Sequence, residues 1–146
     1  MDKVAAVLVT LVAGALVAFQ PPANALLGRL VSDLGAAFLS LAFSTALVGA
    51  LLLLAGDAGQ LSGITGIRPE HLLGGIAGAA IVVVSLITVR TLGAAGVTAA
   101  LVAMQLIVSV ILDRLGVLGL DRTPLDWRVW LGVALLLAGT LLVTTR

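Results

Sequence analysis

The stretch HLLGGIAGAAIVVVSLITV (residues 71–89), RTLG (90–93), AAGVTAALVAMQLIVSVILDRL (94–115) decides how many times the chain crosses a bilayer. It is too long for one span, because about 20 helical residues already cover the roughly 30 Å of hydrocarbon at about 1.5 Å per residue. Thr91-Leu92-Gly93 reads as a tight turn that divides it into spans His71 to Val89 and Ala94 to Leu115. Outward from there, Val4 to about Leu30, Ala36 to Ala55 and Trp127 to Thr144 have the same character, so the 146 residues carry five spans. An odd number of crossings puts the termini on opposite sides and leaves no complete internal repeat.

Composition supports this. With 61% hydrophobic and 10% charged residues, and a mean hydropathy of +1.26, there are too few polar side chains to cover a surface facing water. The spans do not alternate polar with apolar residues as barrel strands do. The fold class is therefore an all-α membrane protein of five transmembrane helices in one domain over residues 1–146. The links are expected at Asp33-Leu34-Gly35, at Gly56 to Pro69 as the longest loop, at Thr91-Leu92-Gly93, and at Gly116 to Asp126 around Pro124. Links this short between antiparallel helices predict one compact bundle. Ala23-Asn24-Ala25 resembles a signal cleavage site, but Leu26-Leu27 resumes the apolar run, so the first segment reads as a retained span.

Residue supply excludes several kinds of chemistry. Cysteine is absent and the single histidine, His71, stands at a helix edge without a partner, so no metal site, cofactor or thiol chemistry is expected. An intramembrane enzyme would need a nucleophile and base that one edge histidine and scattered serines do not supply. The net charge is +1, and no basic tail points to nucleic acid. Lys3, Arg68, Arg114, Arg122 and Arg128 fall on the amino-terminal side and Arg29, Arg90 and Arg146 on the other, 5 against 3. That asymmetry weakly favours a cytoplasmic amino terminus and leaves both orientations open.

Gln20-Pro21-Pro22-Ala23-Asn24 is the costliest insertion in an apolar run. Proline lacks an N–H and its ring crowds the carbonyl four residues earlier, so Pro21 and Pro22 should free the carbonyls of Val17 and Ala18 and bend or break the first helix. Broken helices with free backbone groups in the membrane mark transporter sites. Gln20 and Asn24, four apart, share a face. On the fourth span Thr98, Gln105, Ser109 and Asp113 fall within an arc of roughly 80° at about 100° per residue. Gln20, Asn24, Ser44, Gln105 and Ser109 are the candidate substrate-binding residues, and Ser40, Ser85 and Thr88 could widen a polar cavity. Asp113, beside Arg114, reads as an interfacial charge rather than a proton carrier. No acidic residue stands at the midplane of a span, which disfavours proton-coupled cation export and favours a neutral, zwitterionic or anionic solute.

Small residues recur four apart: Gly74 with Gly78, Gly75 with Ala79, Ala42 with Ala46 and Ala50, and Ala134 with Ala138. Such positions allow close helix packing, mostly within the chain. Gly132, Ala134, Ala138 and Gly139 are the candidate subunit contact.

Gly14 and Gln20 followed by Asn24-Ala25 and Leu27, Phe43-Ser44, Gly49, Leu92-Gly93-Ala94-Ala95, Gln105-Leu106, Leu112-Asp113, Leu115-Gly116, Gly119, and Trp130-Leu131-Gly132 to Ala138-Gly139 resemble the YdcZ-like family of the drug/metabolite transporter superfamily. The resemblance spans essentially the whole chain, and Pro21-Pro22 departs from it. It implies half of a ten-helix transporter: a bacterial inner-membrane exporter working as an antiparallel dimer, with an identical chain or with a homologous five-helix chain. A small dual-topology passive channel and a non-transporting assembly partner are the alternatives that the sequence leaves open.

Overall fold

The computed structural model describes residues 2–118, 121–124 and 126–145, so Gly119 and Arg146 of the sequence reading lie outside it. The described residues form helices α1 (Lys3–Val31), α2 (Asp33–Leu54), α3 (Leu73–Leu115) and α4 (Trp127–Thr144), with no strand among them. Each of the four is long and apolar enough to cross a membrane. α3 is interrupted at Gly93, whose φ of 68° and ψ of 169° are open only to glycine without strain, so the expected division of residues 71–115 appears as arms 73–92 and 94–115.

The other links differ from expectation. α1 and α2 are separated by Ser32 alone rather than by Asp33-Leu34-Gly35. Ser32 caps both helices: its N–H donates to the Gly28 carbonyl at 3.1 Å, and its Oγ accepts from the Gly35 N–H at 3.2 Å. Its φ of 89° is strained for a residue with a Cβ, and the two caps hold it there. Asp33 can then start α2, where a carboxylate meets the positive end of the helix dipole. The expected loop at Gly56 to Pro69 is mostly a 3-10 segment, Asp57–Gly66, entered through left-handed Gly56 at φ 76°. A second 3-10 turn, Pro69–Leu72, gives His71 a partner after all, since its Nδ1 accepts from the Arg68 N–H at 3.1 Å.

The chain forms two compact units, Met1–Arg90 and Thr91–Arg146. In the first, Ala37, Val82 and Leu86 form the core, with Leu41 and Val83 against it. Ala25 and Ala36 are also buried, so close backbone approach replaces interlocking of large side chains. At the end of this unit the Arg90 guanidinium grips Asp33 in a two-pronged pair, with Nη1 to Oδ2 at 3.0 Å and Nη2 to Oδ1 at 2.5 Å. Gly28 makes room for it, because a Cβ there would stand 2.8 Å from Asp33 Oδ1 and 3.2 Å from Arg90 Nη2. In the second unit, the Thr140 hydroxyl on α4 reaches the Ala99 carbonyl on α3 at 3.1 Å and its own Leu136 carbonyl at 2.9 Å. One turn on, Thr144 Cγ2 would lie 3.7 Å from a Cβ added to Gly96.

Polarity is inverted relative to a protein in water. All three phenylalanines, Phe19, Phe38 and Phe43, are at least 70% exposed, whereas Ala36 and Leu86 are fully buried. Small residues singled out by spacing also correct the sequence reading: Gly74, Gly75 and Gly78 have nothing within 4 Å of an added Cβ among the described residues, and Ala42, Ala46 and Ala50 are exposed. Packing in the first unit instead uses Ala25, Gly28, Ala36 and Ala37.

A paired substitution checks this account. Gly28→Ala must shift the ends of the Asp33 and Arg90 side chains and loosen their pair, so it should lower the melting temperature in detergent slightly, by a loss of about 1 kcal/mol at most. Gly14→Ala, in open space, should leave it unchanged or raise it slightly.

Candidate functional site

α1 is not broken at Pro21-Pro22, contrary to the sequence expectation. It continues as one helix from Lys3 to Val31 with both prolines inside. The chemical consequence of the prolines persists, because neither can donate to the carbonyl four residues back, so Val17 and Ala18 lose their usual donors. Pro21, Asn24 and Ala25 are the buried residues of α1, at the spacing that makes one helix face. Asn24 is therefore part of a packed helix face, not of a surface turn.

The Asn24 side chain is the polar group that stands out. The residue is 7% exposed, and Nδ2 has no hydrogen-bond partner among the described residues. A buried donor left unpaired costs about 1–3 kcal/mol, and more in hydrocarbon than in a water-soluble core. Val17 precedes Asn24 by seven residues, which at about 100° per residue returns to within roughly 20° of the same face. An acceptor short of its donor and a donor short of an acceptor thus lie along one side of α1. Helix carbonyls point toward the carboxyl end and Cα–Cβ bonds tilt toward the amino end, so the two groups lean toward each other.

Of the remaining candidates in the first unit, Gln20 is exposed, one turn before Asn24. Ser44 is exposed and lines an apolar groove of about 440 Å³ on α2 with Leu41, Thr45, Val48 and Gly49. Its hydroxyl donates to the Ser40 carbonyl at 2.9 Å, so only its oxygen lone pairs remain for a ligand. Ser85 and Thr88 likewise donate to Val82 and Val84 carbonyls, at 3.2 and 2.8 Å. In the second unit Gln105 and Ser109 stand exposed on consecutive turns of one arm of α3. Asp113 is half-buried at the end of that arm, and its carbonyl accepts from the Thr123 N–H at 3.0 Å, which ties the following segment back to the helix. Gly132, Ala134, Ala138 and Gly139 all face outward on α4, and an added Cβ at either glycine would meet nothing within 4 Å among the described residues.

The sequence reading missed the Asp33–Arg90 pair, because it treated the two residues as separate link and edge charges. It also passed over Thr140 and Thr144, whose spacing of four on an apolar helix was the available signal.

The family profile described as "Putative inner membrane exporter, YdcZ" matches residues 5–142. The chain belongs to the YdcZ family. No curated protein and no solved structure matches it. Membership places this YdcZ protein in the inner membrane as a multi-pass chain, in agreement with its apolar helices, and points to a transporter rather than an enzyme.

The prolines give the site a direct check. Pro21→Ala and Pro22→Ala together restore two N–H donors to α1, which should raise thermal stability by about 1 kcal/mol or more. Transport should fall in the same variant, because the Val17 and Ala18 carbonyls become occupied. Unchanged transport would remove those carbonyls from the site.

Proposed function

We propose that this YdcZ protein exports a small polar metabolite, neutral, zwitterionic or anionic, by alternating access. The observation that carries the reading is the buried, unpartnered amide of Asn24, on the same side of α1 as the proline-freed carbonyl of exposed Val17 two turns earlier. A helix face that retains an unpaired donor and an under-bonded acceptor inside a membrane is suited to a solute that supplies both partners. Gln20 and Ser44 extend this lining within the first unit, and Gln105 and Ser109 offer the same kinds of group in the second: amides and hydroxyls that recognise hydrogen-bonding groups without requiring a net positive charge on the solute.

The working unit in this reading is an antiparallel dimer, of identical chains or of this chain with a homologous one. Gln20 and Gln105 are exposed, and an amide facing lipid is costly, whereas a second chain would enclose it. The smooth outward face of α4 at Gly132, Ala134, Ala138 and Gly139 is available for the matching face of that partner. Two inverted copies of five spans recreate the architecture in which transporter sites form between repeats.

Transport measured in reconstituted vesicles against a metabolite panel, beside thermal stability, tests the site. Asn24→Leu should abolish transport while leaving stability equal or higher, since it removes an unpaired donor from a buried position. Gln20→Leu and Gln105→Leu should each weaken apparent affinity by about one to two decades with normal expression. Wild-type transport in all three would remove the site from this location.

Orientation is tested separately. Two arginines added near Lys3 should force one topology and lower activity, and coexpression with a copy biased by arginines beside Arg146 should restore it. Full activity from a singly oriented chain, confirmed by accessibility labelling, would exclude the identical-chain antiparallel dimer.

A further inference from the structure

A second polar feature lies in the Thr91–Arg146 unit, where residues after α3 fold back on its end. Arg114, Arg122, Thr123 and Pro124 line a pocket of about 390 Å³. Arg122 is held in place, because its Nε donates to the Leu115 carbonyl at 3.2 Å and the neighbouring Thr123 N–H donates to the Asp113 carbonyl at 3.0 Å. These bonds use carbonyls left over at a helix end and leave both terminal nitrogens of the Arg122 guanidinium for a ligand. Neither Arg114 nor Arg122 has a carboxylate within ion-pair distance among the described residues, whereas Arg68, Arg90 and Arg128 each have one.

The pocket therefore offers two guanidinium groups and a threonine side chain to an anion. A phosphate group fits that donor set, since a guanidinium fork matches two of its oxygens at once. Its position in the sequence argues for the source. Arg114 is one residue from the end of the apolar span of α3, and α4 starts at Trp127, followed by exposed Trp130. Span ends and interfacial tryptophans lie at the level of lipid headgroups.

We propose that the Arg114–Arg122–Thr123 pocket binds the phosphodiester of an anionic phospholipid headgroup. Phosphatidylglycerol has a net negative charge for the two arginines, and phosphatidylcholine adds a fixed positive charge that opposes them. The pocket shares no residue with the proposed Asn24 site, so the inference does not depend on the transport reading. A bound headgroup would hold this end of the second unit to the leaflet richer in anionic lipid.

Native mass spectrometry of the full chain, released from neutral detergent with added phosphatidylglycerol, phosphatidylcholine or inorganic phosphate, tests it. Phosphatidylglycerol should bind saturably and more tightly than phosphatidylcholine. Arg114→Gln and Arg122→Gln should each weaken it about fivefold. Arg122→Lys, which keeps the charge and loses the fork, should recover part of the affinity and serves as the folded control. Arg68→Gln should leave binding unchanged. Equal binding of the two lipids, or undiminished phosphatidylglycerol binding by the Arg114→Gln/Arg122→Gln double variant, overturns the proposal. Displacement of phosphatidylglycerol by inorganic phosphate at equal concentration would assign the pocket to a free anion and overturn the lipid reading.

Discussion

A backbone amide cannot be left without a partner in hydrocarbon, and the rest of the structure depends on that constraint. It explains why the described residues include no strand, why the link between α1 and α2 shrinks to one doubly capping serine, and why the segment after α2 coils into 3-10 turns. Each of these keeps N–H and C=O groups bonded locally. Gly93 interrupts α3 at a conformation other residues resist, which confines the break to one position.

The bilayer also removes the usual reason for burying large side chains. Lipid tails solvate leucine and phenylalanine as well as a protein core does, so helices associate by close approach and by a few polar bonds. Gly28 shows how the two combine, since its missing Cβ lets the Asp33–Arg90 pair sit against α1. In the second unit the Thr140 hydroxyl links α4 to the Ala99 carbonyl. With side chains 31% and 44% exposed, the ion pair contributes modestly to stability, and its greater effect is to fix which helix ends meet.

Against this economy of polar groups, the Asn24 amide and the proline-deprived carbonyls of α1 are exceptions concentrated on one helix. Each is a position where a substitution is expected to stabilise the fold, and the proposed solute site rests on these exceptions. The outward-facing amides of Gln20 and Gln105 raise the same question at the surface, where a second chain rather than a solute can supply part of the answer.

Fold class, the number of apolar segments and a break near Thr91-Leu92-Gly93 were legible from hydropathy and spacing, because membrane thickness sets span length; the structure narrows that break to Gly93 alone. The positions of Gln20, Asn24 and Gln105 as polar insertions were equally plain. Tertiary structure alone decided that α1 runs unbroken through Pro21-Pro22, that Asn24 is buried while Gln20 one turn away is exposed, and that Asp33 meets Arg90 across 57 positions of sequence. It also decided that Gly28, rather than the regularly spaced Gly74 and Gly78, takes a close contact. The reason is that periodicity specifies which residues share a helix face but not which face a neighbouring helix covers. In a chain where every face is apolar, only packing makes that choice.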